Sequence, residues 1–298
     1  MSDELATEAA RADSAELDAL PLAAALDLFD RADEEVHVAL KAARPAIEAA
    51  IELVTARLAR GGRLIYVGAG TSGRLGLLDA SECPPTFHTR PEEVQGRIAG
   101  GPEAFFRAVE GAEDSTELGR AAVEDVGAND VVFGIAASGR TPWVHGALAR
   151  AKERGAATVL LACVPFEQAP DAADVSIRVV TGPEVLTGST RLKAGTATKL
   201  VLNRVTTLAF TRLGRVHGNR MIDLDARANA KLRRRALGIL RGLTGLDEEP
   251  AAALLARAEG RVKPAALMQL AGLSQAEALA ALARHGSLRR ALAATRGA

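Results

Sequence analysis

The feature that most constrains the fold of this chain is a strand, a glycine-rich turn and a helix in direct succession, which occurs twice. The apolar run at 63–68 (RLIYVG) enters the turn GAGTSG at 68–73, and the run at 130–136 (DVVFGIA) is followed by ASGRTP at 137–142. A helical pattern follows each turn. Because strand–turn–helix units join parallel strands by right-handed crossovers, they predict an α/β fold with a doubly wound parallel sheet.

The rest of the chain predicts further strands and flanking helices. Apolar, β-branched runs indicate two more strands, at 157–164 and 175–180. Apolar residues three and four positions apart indicate helices at 20–33, 36–60, 189–213 and 226–240. The segment PPTFHTRPEEV at 84–94 contains three prolines, and we do not expect a strand there.

A change in composition near residue 240 predicts a second domain. The stretch GLTGLDEEP at 242–250 is rich in Gly, Asp, Glu and Pro, as segments between compact units are. Beyond it, residues that favour helix starts mark three short helices: Asp247, Pro264, and Ser274 with Glu277 completing a capping box. We therefore predict a sheet domain with N-terminal helices at 1–240 and a small three-helix module at 241–298.

Composition narrows the class of partners. With 37 basic and 37 acidic residues the formal charge is zero, which gives no electrostatic reason to expect nucleic acid or an anionic membrane as a partner. The N-terminus is acidic and lacks the features of a secretory signal, and no apolar run is long enough to span a membrane. Cys83 and Cys163 lack C-x-x-C spacing, and the five histidines are not clustered. We expect a cytoplasmic protein without a metal.

The two glycine-rich turns predict an anion site. Such a turn brings the backbone close to an anion and points the N–H groups of the helix start at it. Both turns follow strands of one predicted sheet, so both can face one crevice at its carboxyl edge. The residues that we expect to bind there are Gly70, Thr71, Ser72, Ser138, Gly139 and Thr141. Taken singly, each turn is better interpreted as an ordinary tight connection whose hydroxyls cap a helix, and only the pair favours a phosphate site.

The nature of the anion follows from what the turns lack. The G-x-G-x-x-G spacing at 68–73 also occurs in dinucleotide sites, but these need an acidic residue that closes a second strand about twenty positions on. The region at 84–94 offers no such strand, and the chain has no G-x-x-x-x-G-K-[ST] phosphate loop. Four hydroxyls around the turns suit the phosphate of a small sugar phosphate better than a pyrophosphate.

Five strings in order carry a resemblance to a known family. Together they resemble the N-acetylmuramic acid 6-phosphate etherases, which have the sugar isomerase (SIS) fold. The strings are GAGTSGRLGLLDASECPPTF (68–87), IAGG (98–101), EGAEDS (110–115), GIAASGRTPWV (134–144) and GPEVLTGSTRLKAGTATK (182–199). The resemblance runs from about residue 20 to 240, and the tail is similar to the family's C-terminal module. Two residues depart from the pattern: Arg97, where an apolar residue is expected, and Trp143, where tyrosine is usual.

The resemblance implies a reaction and two catalytic residues. The family is a carbon–oxygen lyase that splits the D-lactyl ether of its substrate by elimination and water addition, without a cofactor, in cell-wall sugar recycling. Glu82 and Glu113 match its acid/base positions. We expect Glu82 to protonate the lactate oxygen and Glu113 to remove the C2 proton. Without the resemblance, each would be interpreted as an ordinary exposed glutamate.

The resemblance also implies a homodimer, with the crevice near the interface and the partner subunit as a candidate source of site residues. Two other functions share the phosphate turns: a non-enzymatic sugar-phosphate sensor or regulator, and a sugar-phosphate isomerase. A sensor needs no pair of proton-transfer groups, and an isomerase needs no acid at C3. From its place directly after Glu113, Asp114 is expected to cap the next helix.

Overall fold

The computed structural model describes residues 5–296. Contacts between residues divide them into two compact units. The first contains the described residues up to Ser81 together with Pro91–Thr206, and the second contains Glu82–Arg90 and the described residues from Thr207. The two units are defined by contacts between residues alone, so they do not test the domain boundary at residue 240, which stays a prediction.

The first unit is built on a five-stranded parallel sheet with the order β2-β1-β3-β4-β5. The strands are β1 (Leu64–Gly68), β2 (Val94–Ile98), β3 (Val131–Ile135), β4 (Ala157–Ala162) and β5 (Val175–Arg178). Every residue of β1, β3 and β4 is buried, as expected for central strands that are covered on both faces. The predicted doubly wound α/β sheet is confirmed.

Strand β2 corrects the sequence prediction. We expected no strand at 84–94, yet a strand that was not predicted begins at Val94 and pairs with β1 along its whole length, from Leu64–Val94 to Gly68–Ile98. Only the two end residues of β2 are buried, since it is an edge strand. Arg97 lies in this strand, and its guanidinium donates to the Asp125 carboxylate at 2.6 Å. That hydrogen bond, with help from Arg63, holds the pKa of the Asp125 carboxyl well below its usual range.

Helices surround the sheet and form the second unit. Their bounds are α1 (Leu22–Ala42), α2 (Arg44–Leu58), α3 (Gly70–Phe87), α4 (Thr116–Ala121), α5 (Pro142–Glu153), α6 (Lys193–Arg212), α7 (Ala230–Thr244), α8 (Glu248–Arg257), α9 (Val262–Ala271), α10 (Gln275–His285) and α11 (Leu288–Arg296). The predicted break between 33 and 36 is absent, because α1 continues through it. The chain breaks instead at Ala43, and Pro45 stands in the first turn of α2, where a missing N–H costs nothing.

Buried polar groups connect the elements of the first unit. Asp79 of α3 is 5% exposed and accepts hydrogen bonds from the Tyr66 hydroxyl at 2.9 Å and the Asn203 amide at 2.7 Å. Burial raises the pKa of the Asp79 carboxyl. Thus α3, β1 and α6 meet at one buried carboxyl, which connects the middle of α3 to the sheet and to α6.

The second unit has its own hydrophobic core and a short antiparallel hairpin, β6 (Val216–His217) with β7 (Arg220–Met221). The predicted capping box is confirmed, with Ser274 and Glu277 each bonding the other's backbone. Four helices, α8 to α11, follow residue 247 where the sequence predicted three, because α11 begins directly after the turn at Gly286 and Ser287. Within residues 5–296, no single helix is long and apolar enough to cross a membrane; α9 and α10 meet those criteria jointly, with a 107° bend between them.

Candidate active site

The strand order places a crevice between β1 and β3. The chain moves from β1 to one side of the sheet for β2 and to the other side for β3, so the strand order reverses at this point. The two strands run parallel and end together, with Gly68 opposite Ile135. In open α/β sheets, ligands bind outside the carboxyl ends of the strands at such a reversal. Both glycine-rich turns begin here.

A cleft of about 370 Å³ lies between these turns. It brings together six of the eight residues predicted from the sequence to form the site: Gly70, Thr71, Ser72, Glu113, Ser138 and Thr141. Gly139 is not a lining residue. Its φ is +70°, which favours glycine, and its carbonyl oxygen is 2.7 Å from the His145 ring Nε2. Gly139 therefore shapes the second turn and does not line the cleft.

The first turn presents backbone N–H groups. Gly70, Thr71 and Ser72 are the first residues of α3, so their N–H groups have no partner within the helix. The Thr71 and Ser72 side chains are partly buried in the cleft wall. The positive end of the α3 dipole adds to these donors and favours an anion at this place.

The second turn keeps a hydroxyl available. Thr141 is the N-cap residue of α5, yet its side chain makes no capping hydrogen bond, so its hydroxyl is not used as an ordinary cap. Ser138 accepts a hydrogen bond from the Arg140 backbone N–H at 3.2 Å through its Oγ. The Ser138 hydroxyl hydrogen stays available for donation to a ligand. Both turns thus offer uncharged donors to one anion.

Glu113 is held in the cleft wall by its backbone. Its carbonyl oxygen accepts a hydrogen bond from the Trp143 N–H at 2.9 Å, at the start of α5. The Glu113 side chain is exposed. Ser115, and not Asp114, caps α4, because the Ser115 hydroxyl accepts from the Leu118 N–H. The prediction that Asp114 caps this helix is wrong, and Asp114 lines the cleft beside Glu113.

Glu82 lies elsewhere on α3. It is exposed, belongs to the second compact unit and is not among the residues that line the cleft. It stands 12 residues after Gly70 in the same helix. At 1.5 Å per residue this corresponds to about 18 Å along the helix axis. Its assigned role stays a prediction.

The cleft includes residues that sequence reasoning did not select. They are Glu8, Asp114, Arg140 and Thr190, with Ala69, Ala137 and Pro142 from the turns themselves. Arg140 and Thr190 belong to the quoted strings ASGRTP and GSTRLKAG, which were the available signals. The Arg140 guanidinium donates to the Gln168 carbonyl at 2.7 Å, which directs part of its hydrogen bonding to the neighbouring loop. Glu8 carried no local signal.

The thiols and the metal-ligand residues give no second site. Cys83 and Cys163 are buried and form no disulfide bond, and burial raises the pKa of the Cys163 thiol to about 12. A nucleophilic role would require an accessible thiolate. Across residues 5–296, no three His, Cys, Asp or Glu side chains are grouped so as to hold a metal ion.

Comparisons with known proteins identify the type of domain. Residues 46–152 match the glucokinase regulatory protein N-terminal SIS domain, and residues 108–207 match the SIS domain. The chain therefore contains a SIS-type domain, with the two glycine-rich turns inside the matched region. Among solved structures, it is similar to a phosphoheptose isomerase from Francisella tularensis, with 16% identity and a TM-score of 0.44 over 62% of this chain and 98% of that chain.

Curated relatives define the family more closely. The chain is 53% identical to the N-acetylmuramic acid 6-phosphate etherase of Synechocystis sp., over 97% of this chain and 95% of that protein. It is 55% identical to the etherase of Gloeobacter violaceus, over 95% of this chain and 93% of that protein. The chain belongs to the N-acetylmuramic acid 6-phosphate etherase family.

Proposed function

We propose that this chain is an N-acetylmuramic acid 6-phosphate etherase, a carbon–oxygen lyase. It cleaves the D-lactyl ether of that sugar phosphate and releases N-acetylglucosamine 6-phosphate and D-lactate. The observation that carries the proposal is the cleft in which Glu113 lies beside both hydroxyl-bearing turns. Membership of the etherase family across nearly the whole chain supports the same reaction.

Cleavage of the ether requires a base close to the residues that bind the phosphate. An ether oxygen leaves poorly, so direct displacement is difficult. In the open-chain aldehyde, the C2 proton is α to the carbonyl and the ether oxygen is β to it. Removal of that proton forms the C2–C3 double bond as the C3–O bond breaks, and lactate keeps the ether oxygen. Water then adds at C3 and a proton returns to C2, so the sequence is redox-neutral and needs no cofactor.

Glu113 is assigned to removal of the C2 proton. It shares the cleft with Thr71, Ser72, Ser138 and Thr141, which hold the phosphate. A phosphate fixed at C6 restricts where C2 can lie, and a base close to this position contributes about 10² to 10⁴ in rate. Glu82 is assigned to protonation of the departing lactate oxygen, as the family resemblance implies.

We further propose a homodimer in which the second copy supplies Glu82. Glu82 stands about 18 Å along the axis of α3 from Gly70 and does not line the cleft that contains Glu113. A Glu82 donated by a second copy accounts for this placement, since a two-fold dimer brings the same surface of both chains to one interface. The two carboxyl groups then act on one sugar from different chains.

The competing functions differ in one product. A sugar-phosphate sensor or regulator requires the phosphate turns but no base, whereas Glu113 lies in the cleft with them. An isomerase would move the C2 proton and leave the ether intact. Release of D-lactate therefore separates the etherase from both alternatives.

The proposed place of the reaction is the cytoplasm, in the recycling of cell-wall sugars. Both cysteines are buried and form no disulfide bond, which suits a reducing compartment. The intact substrate is anionic and phosphorylated. The reactions that supply it must therefore include a phosphoryl transfer.

Isotope labelling tests the proposed chemistry. We expect incubation with N-acetylmuramic acid 6-phosphate in D₂O to place one deuterium at C2 of the product. In H₂¹⁸O, the label should enter C3 of the sugar and not the released lactate. Mass spectrometry of both products measures each position.

Variants provide the controls for this experiment. Glu113→Gln should abolish the deuterium incorporation together with lactate release. Glu82→Gln should permit exchange at C2 while lactate stays attached. Oxygen-18 in the lactate would contradict elimination, and equal behaviour of the two variants would contradict the assigned roles.

A further inference from the structure

A second cavity of about 190 Å³ adjoins the cleft. It shares Ala69, Gly70 and Glu113 with it, so one wall holds the assigned base. Six of its twelve lining residues are small and apolar: Ala69, Ala99, Ala104, Ala108, Val109 and Ala112. Its charged residues, besides Glu113, are Arg74, Arg107 and Glu110. The cavity thus offers room for a short substituent next to the reacting carbons.

The arginines of the two cavities differ in their partners. The Arg74 guanidinium donates to the carbonyl oxygens of Phe105 and Ala104, both at 2.9 Å, and so fastens the loop that carries Arg107. The Arg140 guanidinium is bonded to the Gln168 carbonyl. The Arg107 guanidinium is exposed and forms no hydrogen bond or ion pair with any other residue in 5–296. Its five N–H donors are available to a ligand.

Glu110 and Arg107 are not paired with each other. Both line the cavity, yet no ion pair joins them. Arg74 adds a second positive charge in the same wall. The arginine side chain is also the one that matches a carboxylate in a bidentate fork.

We propose that this cavity is the lactyl subsite and that Arg107 binds the lactyl carboxylate. This assignment rests on the proposed etherase function. The lactyl group carries one methyl and one carboxylate on the carbon next to the ether oxygen. Its methyl packs against the alanine-lined wall, and its carboxylate meets Arg107. Glu113, which borders both cavities, then faces C2 while the phosphate lies in the hydroxyl-lined cleft.

The proposed subsite accounts for a preference for lactyl ethers over other ethers of the same sugar phosphate. A charge-assisted hydrogen bond changes binding by roughly tenfold or more. An ether of the same sugar phosphate without the carboxylate forfeits that contact. Arg107 is thus a specificity-determining residue, and its removal should affect the lactyl ether selectively.

The experiment compares two substrates that yield the same sugar product. They are N-acetylmuramic acid 6-phosphate and the 3-O-ethyl ether of N-acetylglucosamine 6-phosphate, which is the lactyl ether without its carboxylate. The proteins are wild type, Arg107→Met, Arg107→Lys and the control Arg60→Met, which alters an exposed arginine two residues after the end of α2. For each protein, the readout is kcat/KM for the lactyl ether divided by kcat/KM for the ethyl ether. The intrinsic reactivities of the two substrates are the same in every experiment, so a change in this ratio reports the effect of the substitution.

We expect Arg107→Met to lower that ratio about tenfold or more, Arg107→Lys to lower it less, and Arg60→Met to leave it unchanged. The loss should fall on the lactyl ether, with the ethyl ether converted as before. If Arg107→Met keeps the wild-type ratio, or loses both activities equally, the subsite is refuted. If wild type itself releases no lactate, the etherase function fails, which is a separate outcome.

Discussion

Gly146 of α5 lies against the main chain of Thr116 at the start of α4, so closely that a β-carbon at position 146 would stand 2.1 Å from the Thr116 carbonyl oxygen. The obstructing atom belongs to the backbone, so the segment itself must move to admit a methyl group. That segment carries Glu113 three residues earlier. The packing of two helices therefore sets the position of the assigned base.

Gly146→Ala should lower kcat and the stability of the protein together. Overpacking of this kind costs about 1 to 3 kcal/mol, and a displaced base loses part of its effect on the rate. Urea unfolding and lactate release measure the two quantities. Gly238→Ala is the matched control, since its β-carbon would meet nothing within 4 Å and alanine favours the helix. Equal effects of the two substitutions would contradict the packing argument.

Removal of single hydroxyls from the cleft should raise KM for the sugar phosphate. Ser72→Ala and Thr141→Val each delete one donor to a charged phosphate, for which about 1.5 to 3 kcal/mol is typical. Steady-state kinetics should show KM rising by about tenfold or more with a smaller change in kcat. Thr207→Val, at an exposed position of α6, is the control. A loss confined to kcat would indicate that these hydroxyls do not hold the phosphate.

Mixing two inactive variants tests whether each site draws on two chains. If Glu82 comes from the second copy, heterodimers of Glu82→Ala with Glu113→Ala contain one intact site and one doubly altered site. Random reassociation of equal amounts should then restore up to about a quarter of the wild-type activity per chain, because half the dimers are mixed and each has one intact site. Activity that stays at the level of the separate variants would place both glutamates of a site in one chain.

Asp130→Asn should destabilise the sheet in a pH-dependent manner. Its carboxylate accepts hydrogen bonds from the Arg63 backbone N–H at 2.8 Å, the Arg63 side chain at 2.7 Å and the Gly127 N–H at 2.9 Å. Burial alone would raise the pKa of this carboxyl, but these bonds lower it overall. Its favourable contribution is therefore present above the unfolded-state pKa near 3.8 and is lost as the pH falls through the lower folded-state pKa.

The expected cost of Asp130→Asn is about 1.5 to 3 kcal/mol near neutral pH, since hydrogen bonds to a charged carboxylate are lost while Arg63 keeps its ion pair with Asp125. The difference from wild type should be constant from pH 7 to about 5 and shrink below about pH 4. Urea unfolding across this range measures it. A difference that grows on acidification would reverse the sign of the argument.

The burial of each strand explains which strands could be predicted from the sequence. Strands β1, β3 and β4 are buried throughout, so their continuous apolar runs indicated them directly. Strand β2 was missed because its interior residues, Gln95, Gly96 and Arg97, are only partly buried at the sheet edge and give no apolar run. Pairing with β1, which acts at a distance in sequence, makes this segment a strand.

The residues of the candidate site were likewise predictable only in part. The two turns were predictable because parallel strands end at one edge and the polar residues after them must meet there. Glu8 and Thr190 reach the cleft from distant segments, and no local pattern reports such an approach. The choice between Asp114 and Ser115 as helix cap depended on one residue of register, which spacing alone does not fix.

The backbone bond between Glu113 and Trp143 links the base to the helix that begins at the second turn. In the proposed reaction, a phosphate bound at that turn would therefore also help to fix the backbone that carries the Glu113 carboxylate. Binding energy from the phosphate would then contribute to the alignment of Glu113 with C2. Unphosphorylated muramic acid should therefore show a lower kcat as well as weaker binding, because it lacks the phosphate that the two turns hold.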